Sequence, residues 1–93
     1  HYGVLIQTPE NENITAVLAG TVVSVNYEID NTYSMVLQHS NYLSIYRKLG
    51  KVLKQVGDAV QTGESIAIIQ GQQLWFEIWQ DGKVINPEEV IAF

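Results

Sequence analysis

The sequence predicts an all-β domain, and three observations carry that expectation. Apolar residues alternate with polar ones, or run unbroken, over strand lengths. Short turn signals separate those runs. No stretch keeps a helical period over three turns; residues 49–56 come nearest, and Gly50 and Gly57 bracket them.

Taken in order, residues 20–29 are rich in β-branched and aromatic side chains, which suit a pleated, half-buried surface. Residues 33–39 and 42–47 read as two strands joined by a tight turn at Ser40-Asn41. Residues 65–69 and 74–79 follow the same logic. Asp81-Gly82 is a hairpin turn signal between Trp79 and the strand Lys83-Val84-Ile85. Pro87-Glu88-Glu89-Val90-Ile91-Ala92 reads as one short helical turn near the C-terminus, with Asn86 as its N-cap and proline at its first position. Residues 13–25 and 56–68 echo one another, each with a glycine turn ahead of a strand. The echo reads as two related half-units over one core, with chance likeness between β segments as the alternative.

With 93 residues the chain is one domain. A chain of that size hides about two thirds of its surface on folding, enough for one modest core. Hydrophobic residues make up 46% and charged ones 16%, a globular mixture. The longest apolar run, residues 14–25, is broken by Thr15, Gly20, Thr21 and Ser24, and so falls short of the ~20 residues a bilayer span needs. Five Lys and Arg face ten Asp and Glu, giving a net charge of −5. That balance argues against nucleic acid as a partner, because phosphate binding depends on clustered cations. The one basic cluster is Arg47, Lys48, Lys51 and Lys54, which reads either as a solvated face or as a site for one anionic ligand. The absence of cysteine excludes disulfide and thiolate chemistry. The chain opens at His1 rather than Met, so residues 1–93 read as a domain excised from a longer protein, and any membrane attachment would lie outside them.

Other chemistries find little purchase. None of Ser24, Ser34, Ser40, Ser44 and Ser65 sits in a Gly-x-Ser-x-Gly elbow. No glycine-rich phosphate loop precedes a helix. Asp58 and Glu64, which flank Gly57 and Gly63, read as turn carboxylates rather than an acid pair.

Four patches, read in order, match the motifs of one known family. His1-Tyr2-Gly3-Val4-Leu5-Ile6 resembles that family's His-x-Gly-x-Asp-Ile, with Ile14-Thr15-Ala16 and Gly20-Thr21-Val22 after it. Val36-Leu37-Gln38-His39 and Tyr42-Leu43-Ser44-Ile45-Tyr46-Arg47-Lys48-Leu49 are similar to its Ile-x-His and Tyr-x-Thr-x-Tyr-x-His-Leu. Val56-Gly57-Asp58-Ala59-Val60 through Ala67 matches its Gly-Asp-x-Val-x-x-Gly turn. Gln73-Leu74-Trp75-Phe76-Glu77-Ile78, with Asn86-Pro87 beyond, takes the place of His-x-His-Phe-Glu-Ile and the trailing Asn-Pro. Together the four patches resemble the lysostaphin-type (LytM-like) zinc metallopeptidases, and the resemblance covers nearly the whole chain. It implies a single-domain β-sandwich, or barrel-sandwich, of the duplicated hybrid motif type.

The resemblance also implies where a metal site belongs. His1 stands at the first zinc ligand, Leu5 at the aspartate ligand and Trp75 at the second histidine ligand. Gln73 and Lys48 stand at the two catalytic histidines. Such a site needs three protein ligands and an open position for water. Leucine has no lone pair to offer, and indole carries only an N–H donor. The expectation is therefore a degenerate domain with no metal, no cofactor and no peptidase activity. In place of the site, Trp75 and Leu5 either form an apolar plug, or Tyr46, Lys48, Trp75 and Trp79 form an aromatic groove for a sugar or a peptide. By resemblance such a domain regulates peptidoglycan remodelling or cell division outside the cytoplasmic membrane. Its partner would be a cell-wall amidase, a division-complex protein or peptidoglycan itself. Three alternatives stand beside this. One is a zinc peptidase with rearranged ligands such as His1, His39 and Glu77. The others are a biotinyl- or lipoyl-like adaptor and a structural or dimerisation domain.

Overall fold

The structure, a computed structural model, describes residues 3–86. Nine strands are present: β1 (Val4–Gln7), β2 (Asn13–Thr15), β3 (Gly20–Tyr27), β4 (Tyr33–Gln38), β5 (Leu43–Val52), β6 (Ala59–Val60), β7 (Ser65–Ile69), β8 (Gln73–Gln80) and β9 (Lys83–Ile85). All pair antiparallel in one network ordered β1-β8-β5-β4-β3-β6, with β7 also on β5, β2 on β7 and β9 on β8. No helix occurs among the described residues, and the all-β expectation holds. The helical turn expected over residues 87–92 lies outside them.

Both predicted tight turns form. His39 N–H donates to Tyr42 O across Ser40-Asn41 at 2.8 Å. Asp81 and Gly82 both adopt positive φ, 54° and 76°, as a twist-matched two-residue hairpin requires. Strands β1, β2 and β6 span four, three and two residues, too few for alternation to announce them.

Strand β5 departs from expectation by running on through Gly50 to Val52. Its first half pairs with β8 and its second half with β7. Lys48 sits at the change of partner with φ 73°, uncommon for a residue with a side chain. The irregularity uses up one residue. Core-facing positions therefore fall at Tyr46 and Leu49, three apart instead of two.

The echo between residues 13–25 and 56–68 is visible in the pairing, since β2 joins β7 and β3 joins β6. Each half closes on a turn of the other. Gly63 N–H donates to Ala16 O and Ala16 N–H to Glu64 O, while Gly57 N–H donates to Val22 O and Val22 N–H to Asp58 O. Asp58 Oδ2 accepts from Gln55 N–H at 2.7 Å and Glu64 Oε1 from Gln61 N–H at 2.9 Å. The two carboxylates are turn caps, as the sequence predicts. Gly57 and Gly63 carry φ of 98° and 80°, which their turns demand.

The core holds Met35, Leu37, Tyr46, Leu49, Ile66, Ile69, Phe76 and Ile78. One polar line crosses it. His39 Nδ1 lies 2.8 Å from Ala19 O and Nε2 lies 2.7 Å from Ser44 Oγ. The Ser44 and Tyr46 hydroxyls are 2.9 Å apart, and Val17 N–H donates to Tyr46 Oη at 3.2 Å. Burial pushes the Tyr46 phenol up from its ordinary value, against the lowering effect of its bonds to Ser44 and Val17. Ser44 is fully enclosed, so its removal leaves His39 and Tyr46 without a shared partner. Ser44→Ala is expected to cost about 1–3 kcal/mol in urea unfolding. A loss within experimental error would show that the line contributes nothing.

Candidate functional site

Strand β8 lies between β1 and β5, and its alternation divides the domain. Leu74, Phe76 and Ile78 enter the core. Gln73, Trp75, Glu77 and Trp79 take the opposite face. On that face Leu5 stands directly across from Trp75 and Gln7 across from Gln73, while Arg47 flanks Trp75 from β5. Leu5, Gln73 and Trp75 are therefore brought together. Gln73 and Lys48 border one cleft of about 350 Å³, together with Gln7, Gln70, Gly71 and Gln72. His1 lies outside the described residues.

Trp75 turns back over β1. A Cβ on Gly3 would stand 1.8 Å from an indole carbon of Trp75, so only glycine is accommodated there. The neighbouring Leu5 stays half exposed, at 46%. Trp75 thus shields the strand backbone, while Leu5 does not form a sealed plug with it.

The organising group on this face is Glu77, with only 8% of its side chain exposed. Its Oε2 accepts from Trp75 Nε1 at 2.5 Å and its Oε1 from Trp79 Nε1 at 2.8 Å. Arg47 Nε adds a contact at 3.4 Å. Ile45, buried at 9%, pairs with Glu77 across the strands and keeps its surroundings dry. Burial alone would raise the Glu77 carboxyl pKa. The indole N–H groups of Trp79 and Trp75, with Arg47, outweigh burial and hold it below the ordinary value.

The predicted groove is corrected at Tyr46. Its ring faces the core beside Phe76, with centroids 5.3 Å apart, and is 1% exposed. Alternation along β5 puts it on the side opposite the tryptophans. Lys48 stays exposed, but the irregularity turns it toward Asp30, 3.3 Å away. Trp75 and Trp79 do share a face. The residues that sequence reasoning passed over are Arg47 and, as a clamp, Glu77. The alternation of β8 was the signal for Glu77, since it set Glu77 between the two tryptophans.

The rearranged ligand set is not assembled either. His39 directs both ring nitrogens into the polar line of the core, and Glu77 lies on the other face. Among the described residues no three His, Cys, Asp or Glu side chains converge as a ligand set. At the family positions, Leu5 has no donor atom, and the Trp75 N–H is committed to Glu77. These residues do not fit a zinc ion.

The basic cluster is largely neutralised. Arg47 pairs with Glu77 and with Glu28, Lys48 with Asp30, and Lys54 with Glu64. Lys51 is the member with no ion pair among the described residues. Thr32 is the main cause of the lowered Asp30 pKa, with Lys48 acting in the same sense.

The family model for peptidase family M23 matches residues 1–87. The chain belongs to peptidase family M23. It is 27% identical over 97% of its length to an uncharacterized metalloprotease of Buchnera aphidicola, and spans 26% of that relative. A zinc-containing peptidase from Vibrio cholerae superposes with a TM-score of 0.76 at 26% identity, covering 84% of this chain and 26% of that one. A chain of the SpoIIIAH and SpoIIQ complex superposes with a TM-score of 0.79 at 25% identity, covering 88% of this chain and 64% of that one. The chain thus spans about a quarter of that curated relative's length.

In this M23 domain Glu77 makes the tryptophan face sensitive to pH. Its folded-state pKa lies below the ordinary 4.5. The ionised carboxylate therefore contributes stability above that value, and the contribution is lost as pH falls through the lower, folded-state value. Glu77→Gln should cost about 1–3 kcal/mol near neutral pH. The gap to wild type should close as pH drops below the ordinary carboxylate range. Trp75 and Trp79 are the only tryptophans in the chain, so their fluorescence reports the change. A gap that stays constant down to strong acid would remove Glu77 as its source.

Proposed function

We propose that this is a non-catalytic M23 domain that acts by binding. Its setting would be peptidoglycan remodelling or cell division outside the cytoplasmic membrane, for example as the activator of a cell-wall amidase. The observation that carries the reading is the register of β1 and β8. It sets Leu5 across from Trp75 and Gln7 across from Gln73, and Leu5, Gln73 and Trp75 stand where the family resemblance implies metal ligands and a catalytic histidine. On this reading the scaffold is retained without its metal donors, and the face they would occupy serves recognition. Trp75 and Trp79, fixed by Glu77 and flanked by Arg47, supply residue types that dominate binding hot spots. The matched chain of the SpoIIIAH and SpoIIQ complex supports the idea that this fold engages protein partners.

Two measurements test the reading. Elemental analysis of the purified domain should find no stoichiometric zinc, and peptidoglycan stem peptides should stay intact on incubation. An amidase assay, paired with direct binding to amidases and division proteins, should then show stimulation or capture. Stoichiometric zinc with peptide cleavage would end the proposal. Because donor atoms rather than geometry are lacking, the triple variant Leu5→Asp, Gln73→His, Trp75→His should gain zinc in the same analysis, whereas Gln73→His alone should not. Failure of the triple variant to take up metal would show that the scaffold has also drifted.

A further inference from the structure

Three concavities follow one another along β5. The Gln73 cleft shares Lys48 with a hollow beside the β3–β4 turn, and shares Gln70 with a hollow formed by Asn11, Gly50, Lys51, Ile68 and Ile69. The cleft thus separates two dissimilar features. On one side the turn carries Ile29, fully exposed at 104%. On the other lies an opening of about 340 Å³ with the partly exposed Ile68 in its wall and Lys51 at its rim.

The turn holds Ile29 in a fixed position. Glu28 N–H donates to Thr32 O at 2.7 Å, and Asn31 N–H to Glu28 O at 3.1 Å. Thr32 donates to Asp30 Oδ1 through both its amide and its hydroxyl. Asp30 Oδ2 accepts from Lys48, and Glu28 Oε2 accepts from Ser34 Oγ and faces Arg47. The rings of Tyr27 and Tyr33 meet edge to face at 4.9 Å across the base. A rigid turn loses little freedom on docking, so an apolar residue held outward on one is suited to anchor a contact.

The two features complement one another. Ile29 is an apolar knob flanked by the carboxylates of Glu28 and Asp30. The hollow offers an apolar wall with a cation, Lys51, that has no ion pair among the described residues. We propose that two copies of this chain pair face to face across their Gln73 clefts, each seating its Ile29 in the other's hollow beside Lys51 and Ile68. The cleft meets the hollow beside the knob at Lys48 and the Ile68 hollow at Gln70. A two-fold axis through the cleft therefore exchanges knob and hollow, and both contacts form together, as a self-complementary interface requires. Among the described residues Glu28 makes its contacts through Oε2, leaving Oε1 to meet Lys51 of the other copy. The paired clefts then face one another, and their glutamines lie inside the dimer.

This pairing is independent of the binding role proposed above, and zinc content has no bearing on it. Sedimentation equilibrium of the 93-residue chain from ~10 μM to ~1 mM tests it. A monomer–dimer equilibrium is expected. Ile29→Asp and Lys51→Glu should each weaken it at least about tenfold, a difference of about 1.4 kcal/mol. Ile29 makes no buried contact in the monomer, so Ile29→Asp should keep the wild-type melting temperature. Val56→Asp, at an exposed position on the 55–58 turn, should leave association unchanged. The proposal is overturned by a monomer at all concentrations, by open-ended oligomers, by a dimer indifferent to Ile29→Asp or Lys51→Glu, or by equal loss in Val56→Asp.

Discussion

The central constraint is the register of β8 between β1 and β5. Because side chains alternate along a strand, one registry decides two things at once. It sends Leu74, Phe76 and Ile78 into the core, and it aligns Leu5, Trp75 and Arg47 in a row on the other face. A slip of one residue would expose the three core residues and bury Glu77 without its donors. The site is therefore fixed by the same hydrophobic burial that fixes the fold.

Glu77 shows how the outward face meets the cost of an enclosed charge. A carboxylate removed from water must be matched by donors, or it takes up a proton instead. Two indole N–H groups and a guanidinium supply that match. The same bonds orient both tryptophans and link β8 to β5. Through Arg47 they extend to Glu28, and the second pair, Lys48 with Asp30, fastens the β3–β4 turn at its other side. Cations that look like an anion site in the sequence are in the structure mostly internal counter-charges.

Much of this was legible in the chain. Alternation located β3, β4, β7 and β8, and the Asp81-Gly82 dipeptide located the last hairpin. The strand face bearing Gln73, Trp75, Glu77 and Trp79 followed from period two alone. Strands β1, β2 and β6 were not legible, because so few residues carry no period; they exist through pairing with distant partners. Tyr46 was misplaced for a related reason. Its environment depends on which residue of β8 it faces, and no local pattern encodes that cross-strand choice. Lys48 could not be placed because a positive φ at a lysine has no sequence signature. The ion pairs of Arg47 and Lys48 bring together residues 18 to 30 positions apart in sequence, beyond the reach of spacing arguments.

On the proposed non-catalytic reading, the division of faces also accounts for an M23 scaffold that loses its ligands and keeps its shape. The core is built from residues on the far side of β8 and β5, and none of its members stands at a ligand position. Changing aspartate to leucine or histidine to tryptophan on the outward face therefore removes no core contact. The requirement that remains is local: no polar group may be stranded on the altered face. Trp75 meets it by giving its N–H to Glu77 and laying its ring over Gly3, where any side chain would collide. Among the described residues no buried side-chain nitrogen or oxygen lacks a partner, so the substituted face is as fully satisfied as the core it backs.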